Sequence, residues 1–239
     1  MTVTPTDSVR PLMPADLDWV VEVTRHRRES LVQHAPRFWR PAQGATEKHR
    51  AFLANLIGDP EAFTVRSANG YLAALPRGPV WLVDDAVVTE AGDWMIDGVR
   101  LLQNAQEHCG ALRLVVPAVE TRRMEAAIHV GLAAVEHWWH RDLRGGAQAN
   151  EQEDGADPTV EVDGAAGRLV PAPPVYNPGG PVLLVTEVES AGSLRRIETE
   201  AARRGAPVSV VTQEPNDVGL ANLLSEAGYT LTTVFCEGL

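Results

Sequence analysis

The chain has 239 residues, of which 32 are acidic and 21 basic, giving a formal charge of −11, and 44% of it is hydrophobic. That is enough apolar material for one large core or two small ones. The acidic balance argues against the basic face of a nucleic-acid binder, and no apolar run approaches the ~18 residues of a membrane helix. Two cysteines, Cys109 and Cys236, suit a reducing, cytoplasmic setting, and the polar start from Met1 to Pro11 lacks the apolar centre of a signal peptide.

Val9-Arg10-Pro11-Leu12 reads as a short strand, and Pro14-Ala15-Asp16 as a helix start. Apolar residues at Leu17, Val20, Val21 and Val23 open an amphipathic helix running to about Gln33. The basic run Arg25-His26-Arg27-Arg28 falls on this helix and reads as its solvated face, with an anion site as the alternative. Pro36 and Pro41 break the pattern, because proline removes a donor and clashes with the preceding turn. A second helix is expected over residues 46–57, with Phe52, Leu53, Leu56 and Ile57 on one side.

The period then shortens. Strands are expected over 62–66, 71–75 and 80–88, with a turn at Ala68-Asn69-Gly70. The turn-rich stretch 89–97 leads to a helix over 98–108, a strand over 112–116, a helix over 121–130 and a strand over 134–139. Residues 144–157 are rich in Gly, Gln, Asp and Glu and read as a linker. Strands resume at 159–162 and 168–170, followed by a Pro/Gly-rich connection at 171–180. After it come strand 182–188, helix 193–204, strand 208–212, helix 217–227 and strand 230–235.

The second run follows the first element for element. Trp81-Leu82-Val83-Asp84-Asp85 matches Leu183-Leu184-Val185-Thr186-Glu187, His108-Cys109-Gly110-Ala111 matches Arg203-Arg204-Gly205-Ala206, and Gly131-Leu132 matches Gly228-Tyr229. Self-similarity of this kind points to tandem copies. The expected division is a domain over 1–143, a linker over 144–158 and a second, truncated copy over 159–239.

The order of elements is α/β with a mixed sheet. Three features, Val9-Arg10-Pro11-Leu12-Met13-Pro14-Ala15-Asp16-Leu17-Asp18, the long strand Val83-Asp84-Asp85-Ala86-Val87-Val88, and the helix-Gly110-Ala111-strand after it, resemble the GNAT acetyltransferase superfamily. Residues 216–229 look like that family's late helix. The resemblance covers about 1–143 in full and 159–239 in part.

It implies a twisted mixed sheet with flanking helices and a V-shaped opening between two central strands that receives acetyl-CoA as cosubstrate. The expected activity is acetyl transfer to an amine of a small molecule or peptide. Val87, Val88, Trp94, Met95, Ile96 and Gly98 then fall at the cofactor, and Phe38, Trp39 and Arg40 at the acceptor. Asp84 or Asp85 becomes the base that takes the amine proton.

The chain departs from the family's phosphate loop, Arg/Gln-x-x-Gly-x-Gly/Ala. In Asp93-Trp94-Met95-Ile96-Asp97-Gly98 only Gly98 fits, and two acids stand where a phosphate approaches. The second copy shortens the loop to Glu189-Ser190-Ala191-Gly192-Ser193. The family's frequent Tyr on the late helix is replaced by Ala127 and Leu224. A non-catalytic module that binds a ligand or partner is therefore the alternative. No metal is expected, since His137 and His140 point to opposite faces of a strand. Trp138 and Trp139 read as strand packing or a homodimer face.

Overall fold

The computed structural model describes residues 9–143 and 157–238. The first eight residues and most of the expected linker lie outside them. The described residues form two compact units drawn from separate stretches of chain. One holds the chain up to Arg28, Thr46–Val135 and the chain from Thr233 onward, and the other holds Glu29–Ala45 and Glu136–Thr232.

In the first unit, strand β1 (Arg10–Pro11) and a 3-10 turn (Pro14–Asp16) lead into helix α1 (Leu17–Val32), with α2 (Ala45–Gly58) after it. Val20, Val21, Thr24, Arg28 and Leu31 are buried along α1, and His49, Leu53 and Leu56 along α2. This is the spacing of one face of a 3.6-residue helix. Phe52, expected on that face, is 43% exposed, because it lies one position off the buried row.

Strands β2 (Phe63–Arg66), β3 (Gly70–Arg77) and β4 (Val80–Val88) form an antiparallel meander. The turn-rich stretch after β4 contains a 3-10 turn (Ala91–Met95), then helix α3 (Asp97–Cys109), β5 (Leu112–Pro117) and α4 (Thr121–His129). The strand order is β1-β2-β3-β4-β5-β11, where β11 (Thr230–Gly238) is the last strand of the chain.

In the second unit the order is β6-β10-β9-β8-β7, built from β6 (Ala133–Asp142), β7 (Thr159–Val162), β8 (Ala165–Val170), β9 (Val182–Val188) and β10 (Val208–Gln213). Helices α5 (Ala191–Arg203) and α6 (Val218–Glu226) flank these strands in sequence. Leu183, Leu194, Ile197, Ala201 and Leu224, all fully buried, centre the core.

Both helices that precede a last strand stop the same way. Gly131 and Gly228 take φ of 86° and 82°, and the next residue's N–H returns to the last turn, Leu132 N to Ala127 O and Tyr229 N to Leu224 O, each at 2.9 Å. Only glycine adopts that backbone without penalty.

The compact units do not follow the sequence division at 144–158, because strand pairing crosses it. Residues 233–238 of β11 pair with β5, and residues 137–142 of β6 pair with β10. Among the described residues no helix is long and apolar enough to cross a membrane.

Candidate functional site

The parallel pair β4/β5 is matched at Trp81↔Leu112, Leu82↔Arg113 and Val83↔Leu114, and there it ends. Beyond that point β4 stays bonded to β3 as far as Val88↔Gly70, while β5 keeps only its ladder to β11, at Val115↔Phe235 and Val116↔Val234. The two strands part into a wedge. The pair β9/β10 does the same, ending at Val185↔Val211. There β9 keeps Glu187↔Ala166 and Val188↔Ala165, and β10 keeps Thr212↔Trp138 and Gln213↔His137. A parted strand leaves backbone N–H and C=O groups that need other partners.

In the first unit a side chain fills that need. Arg123 of α4 is completely buried. Its Nη1 donates to Ala86 O at 3.0 Å and to Glu120 Oε2 at 3.2 Å, and Nη2 reaches Asp84 O at 3.5 Å. The guanidinium lies over Trp94, 5.2 Å from the ring centre, and Nε has no hydrogen-bond partner. Glu120 also accepts from Arg27 Nε at 2.7 Å. Burial, then the charge of Arg27, lowers the Arg123 pKa to about 10. Burial pushes Glu120 upward, but the charges of Arg27 and Arg123 outweigh it and hold the carboxyl below its ordinary range.

Asp84 and Asp85 sit where the wedge opens and differ in environment. Asp85 Oδ2 is 2.8 Å from His49 Nε2, and His49 Nδ1 is 3.3 Å from Arg28 Nη1. An arginine can only donate, so Nδ1 accepts and Nε2 carries the proton given to Asp85. Burial raises Asp85, but the His49 hydrogen bond and the nearby cations bring it below the ordinary carboxylate value. Asp84 keeps an exposed surface, yet crowding of its carboxyl by protein, then the charge of Asp85, raises its pKa. Tyr71 and Thr24 share a buried hydrogen bond of 2.5 Å under this cluster.

Val87 and Val88 are buried on β4. At the start of α3, Trp94 is buried, while Met95 and Ile96 are 37% and 56% exposed. A Cβ on Gly98 would stand 2.3 Å from Trp94 Cε3, so the indole already covers that glycine. Asp97 is buried and accepts from Asn69 Nδ2 at 3.0 Å. This helix start therefore fits a pyrophosphate poorly, since an aromatic ring occupies the approach and an acid repels the charge.

The start of α5 is different. Ser190 Oγ accepts from Ser193 N at 3.1 Å, which caps the helix. A Cβ on Gly192 would have nothing closer than 3.6 Å, and one of its neighbours at that distance is Arg196 Nη1. Thr186 and Glu187 on the parted stretch of β9 are exposed.

Phe38, Trp39 and Arg40 do not join Asp84, Asp85 and Gly98 in one unit. They belong to the second. Phe38 packs 5.3 Å from His140 and Trp39 packs with Leu31 and Ala35. Arg40 Nε donates to Asn177 O at 2.6 Å, beside the bridge Pro41↔Tyr176. Burial lifts the Cys109 and Cys236 thiols to about 11, which leaves both protonated and unreactive at neutral pH. No three or more His, Cys, Asp or Glu among the described residues are grouped to hold a metal ion.

Sequence reasoning missed Arg123, Glu120 and His49, and it read Arg27 and Arg28 as a solvated face although Arg28 is buried and both are hydrogen-bonded inside the unit. The signal was present for two of them. Arg123 precedes the buried Ala126 and Ala127 by three and four residues, and His49 precedes the buried Leu53 by four, so each lies on the inward face of its helix.

No protein-family model matches the chain, and no curated protein sequence matches it. Solved structures do. A GCN5-related N-acetyltransferase of Sphaerobacter thermophilus is 14% identical over 99% of this chain and 96% of its own, with a TM-score of 0.59. A protein of Thermoplasma acidophilum assigned as an acetyltransferase is 12% identical over 97% and 99%, with a TM-score of 0.55. One of Pyrococcus horikoshii, assigned likewise, is 9% identical over 99% and 90%, with a TM-score of 0.51. The expected mixed α/β architecture is thus the fold of this chain, shared with these three solved structures.

Proposed function

We propose that this chain, with its GNAT fold, is an N-acyltransferase that moves an acetyl group from acetyl-CoA to an amine of a small molecule or peptide. The observation that carries the reading is the wedge between parallel strands beside a helix start, formed once by β4, β5 and α3 and again by β9, β10 and α5. We read the recurrence as two copies of one fold in tandem.

The chemistry asks little of the protein beyond position and a proton acceptor. The lone pair of the neutral amine attacks the thioester carbonyl, the C–N bond forms and the C–S bond breaks. The amine proton goes to a carboxylate, and the thiolate of coenzyme A leaves and takes up a proton. Backbone N–H groups at the parted strand polarise the carbonyl. The candidate carboxylates are Asp84 at the first wedge and Glu187 at the second. Asp85 is committed to His49.

A second reading, a non-catalytic GNAT-like module that binds a ligand or partner, is favoured by one specific observation: Arg123 and Trp94 already fill the first wedge. Thermal unfolding with and without acetyl-CoA, backed by calorimetric titration, separates the two. Ligand at 100 times its Kd adds about 2.7 kcal/mol to stability. A clear rise in Tm, with thiol release when a panel of small amines is added, supports the transferase. No heat and no shift at millimolar acetyl-CoA leaves the binding module.

A further inference from the structure

We infer that Arg123 is a built-in occupant of the first wedge, which leaves the second unit as the chain's acetyl-CoA site. The statement about acetyl-CoA rests on the acyltransferase reading; the statement about Arg123 does not.

The carbonyls that β4 loses from its ladder on leaving β5 include those of Asp84 and Ala86. Arg123 caps both with one planar group. A molecule that pairs with this edge of β4 must first remove a buried cation from Ala86 O and from Glu120, which strands Glu120 with Arg27 alone. The helix-side entrance is shut as well, by Trp94 lying on Gly98 and by buried Asp97.

The second unit lacks the arginine cap and the aromatic cover. Leu220 on α6 stands where Arg123 stands on α4, at the same 97-residue spacing that separates Gly131 from Gly228. Leucine cannot cap a carbonyl, and Leu220 packs instead against the core of its unit. At the start of α5 a Cβ on Gly192 would meet only Arg196 Nη1 and Ser190 Oγ, both at 3.6 Å, where Gly98 is covered by an indole. The open helix start favours a ligand here over the first unit.

Two measurements test this on the full chain. In the first, Arg123→Ala empties the wedge. Its Tm should fall by the order of 10 °C, as expected when one partner of a buried charged cluster is removed. A few millimolar methylguanidinium should restore most of that loss, while methylammonium should not, and neither should raise the Tm of the wild type or of Arg123→Leu, whose side chain refills the space. A folded Arg123→Ala protein that methylguanidinium does not rescue overturns the occupant. The second uses the wild type, so it holds even where the alanine variant does not fold: hydrogen exchange read by peptide with and without millimolar acetyl-CoA. Slower exchange over 182–200 with residues 80–100 unchanged is the expected result. Protection over 80–100 overturns the inference while leaving the acyltransferase reading intact. Protection nowhere overturns that reading and the second-unit assignment together, and the rescue result then stands alone.

Discussion

His49 gives its Nε2 proton to Asp85 Oδ2 at 2.8 Å while its other ring nitrogen accepts from Arg28 at 3.3 Å. Three side chains from α1, α2 and β4 are thereby fixed in one line, Arg28 being tied further to Thr46 Oγ1 at 3.0 Å. The imidazole has no free nitrogen, so its work is to hold a carboxylate.

His49→Ala should therefore destabilise the chain by about 2–4 kcal/mol, because it leaves Asp85 enclosed with its closest partner gone. Asp85 is held below its ordinary value, so its contribution is complete above about pH 4, the unfolded carboxylate value, and is lost as pH falls through the folded one. The variant should lose that acid dependence. Urea midpoints at pH 7 and pH 2.5 read both effects, and equal midpoints for variant and wild type at pH 7 would refute the role.

A second carboxylate works the same way with stronger partners. Asp16 accepts from Arg10 through two bonds of 2.8 Å, from Arg66 Nη1 at 2.7 Å and from the Met13 N–H at 2.9 Å. The Arg10 bonds, against an opposing effect of burial, place its pKa far below the carboxylate range. Asp16→Asn should cost about 2 kcal/mol at pH 7, and the deficit should shrink as acid protonates the wild-type group. A deficit that is the same at pH 7 and pH 2.5 would show that charge is not what the site uses.

The elements themselves were largely legible in the residues. Val80–Val88, Thr159–Val162 and Val182–Val188 are bounded by turn residues and rich in β-branched side chains, so period and punctuation agree. The site was less so. Asp84 and Asp85 were visible as two acids in an apolar strand, but what divides their roles is His49, 36 residues away in sequence. Arg123 lies in Thr121-Arg122-Arg123-Met124-Glu125, where a surface helix is the ordinary reading of two arginines and a glutamate. Only the burial of Ala126 and Ala127 on the same face distinguishes Arg123 from Arg122, which is exposed and paired with Glu125. The grouping of 29–45 with the second unit has no local signal, since it depends on contacts such as that between Arg40 and Asn177, 137 positions apart.

The two helix-start glycines should respond oppositely to alanine. At Gly98 the new Cβ would meet Trp94 at 2.3 Å, well inside contact distance, and an overpacked core of this kind costs about 1–3 kcal/mol. At Gly192 the new Cβ would make only ordinary contacts at 3.6 Å, so Gly192→Ala should be neutral or stabilising by up to about 1 kcal/mol through the unfolded chain. Tm values of the two single variants decide it, and a larger loss at Gly192 than at Gly98 would contradict the difference in cover.

The second unit carries its own buried charge, and its pH response should have the reverse sign. Tyr229 Oη lies 2.7 Å from both Glu198 Oε1 and Ser209 Oγ, and Arg141 Nη1 reaches Glu198 Oε2 at 3.2 Å. Burial raises the Glu198 pKa, while the Tyr229 hydrogen bond and Arg141 pull it down. A carboxyl raised on folding binds its proton more tightly in the native state, so the burden it imposes is relieved as pH falls through the folded pKa toward the unfolded one near 4.3. Tyr229→Phe removes one of the three groups that stabilise the charged form, the others being Arg141 and Arg195, and leaves the ring packing in place. The variant should lose about 1–3 kcal/mol at pH 7, where Glu198 must be charged with only the cations Arg141 and Arg195 to support it. At pH 4.5 the deficit should be smaller, because a protonated carboxyl no longer needs the phenol's proton. Chemical denaturation of wild type and variant across this range gives the difference directly. A deficit that grows toward pH 4.5 would mean that the tyrosine serves Ser209 and the strand β10 rather than the charge on Glu198.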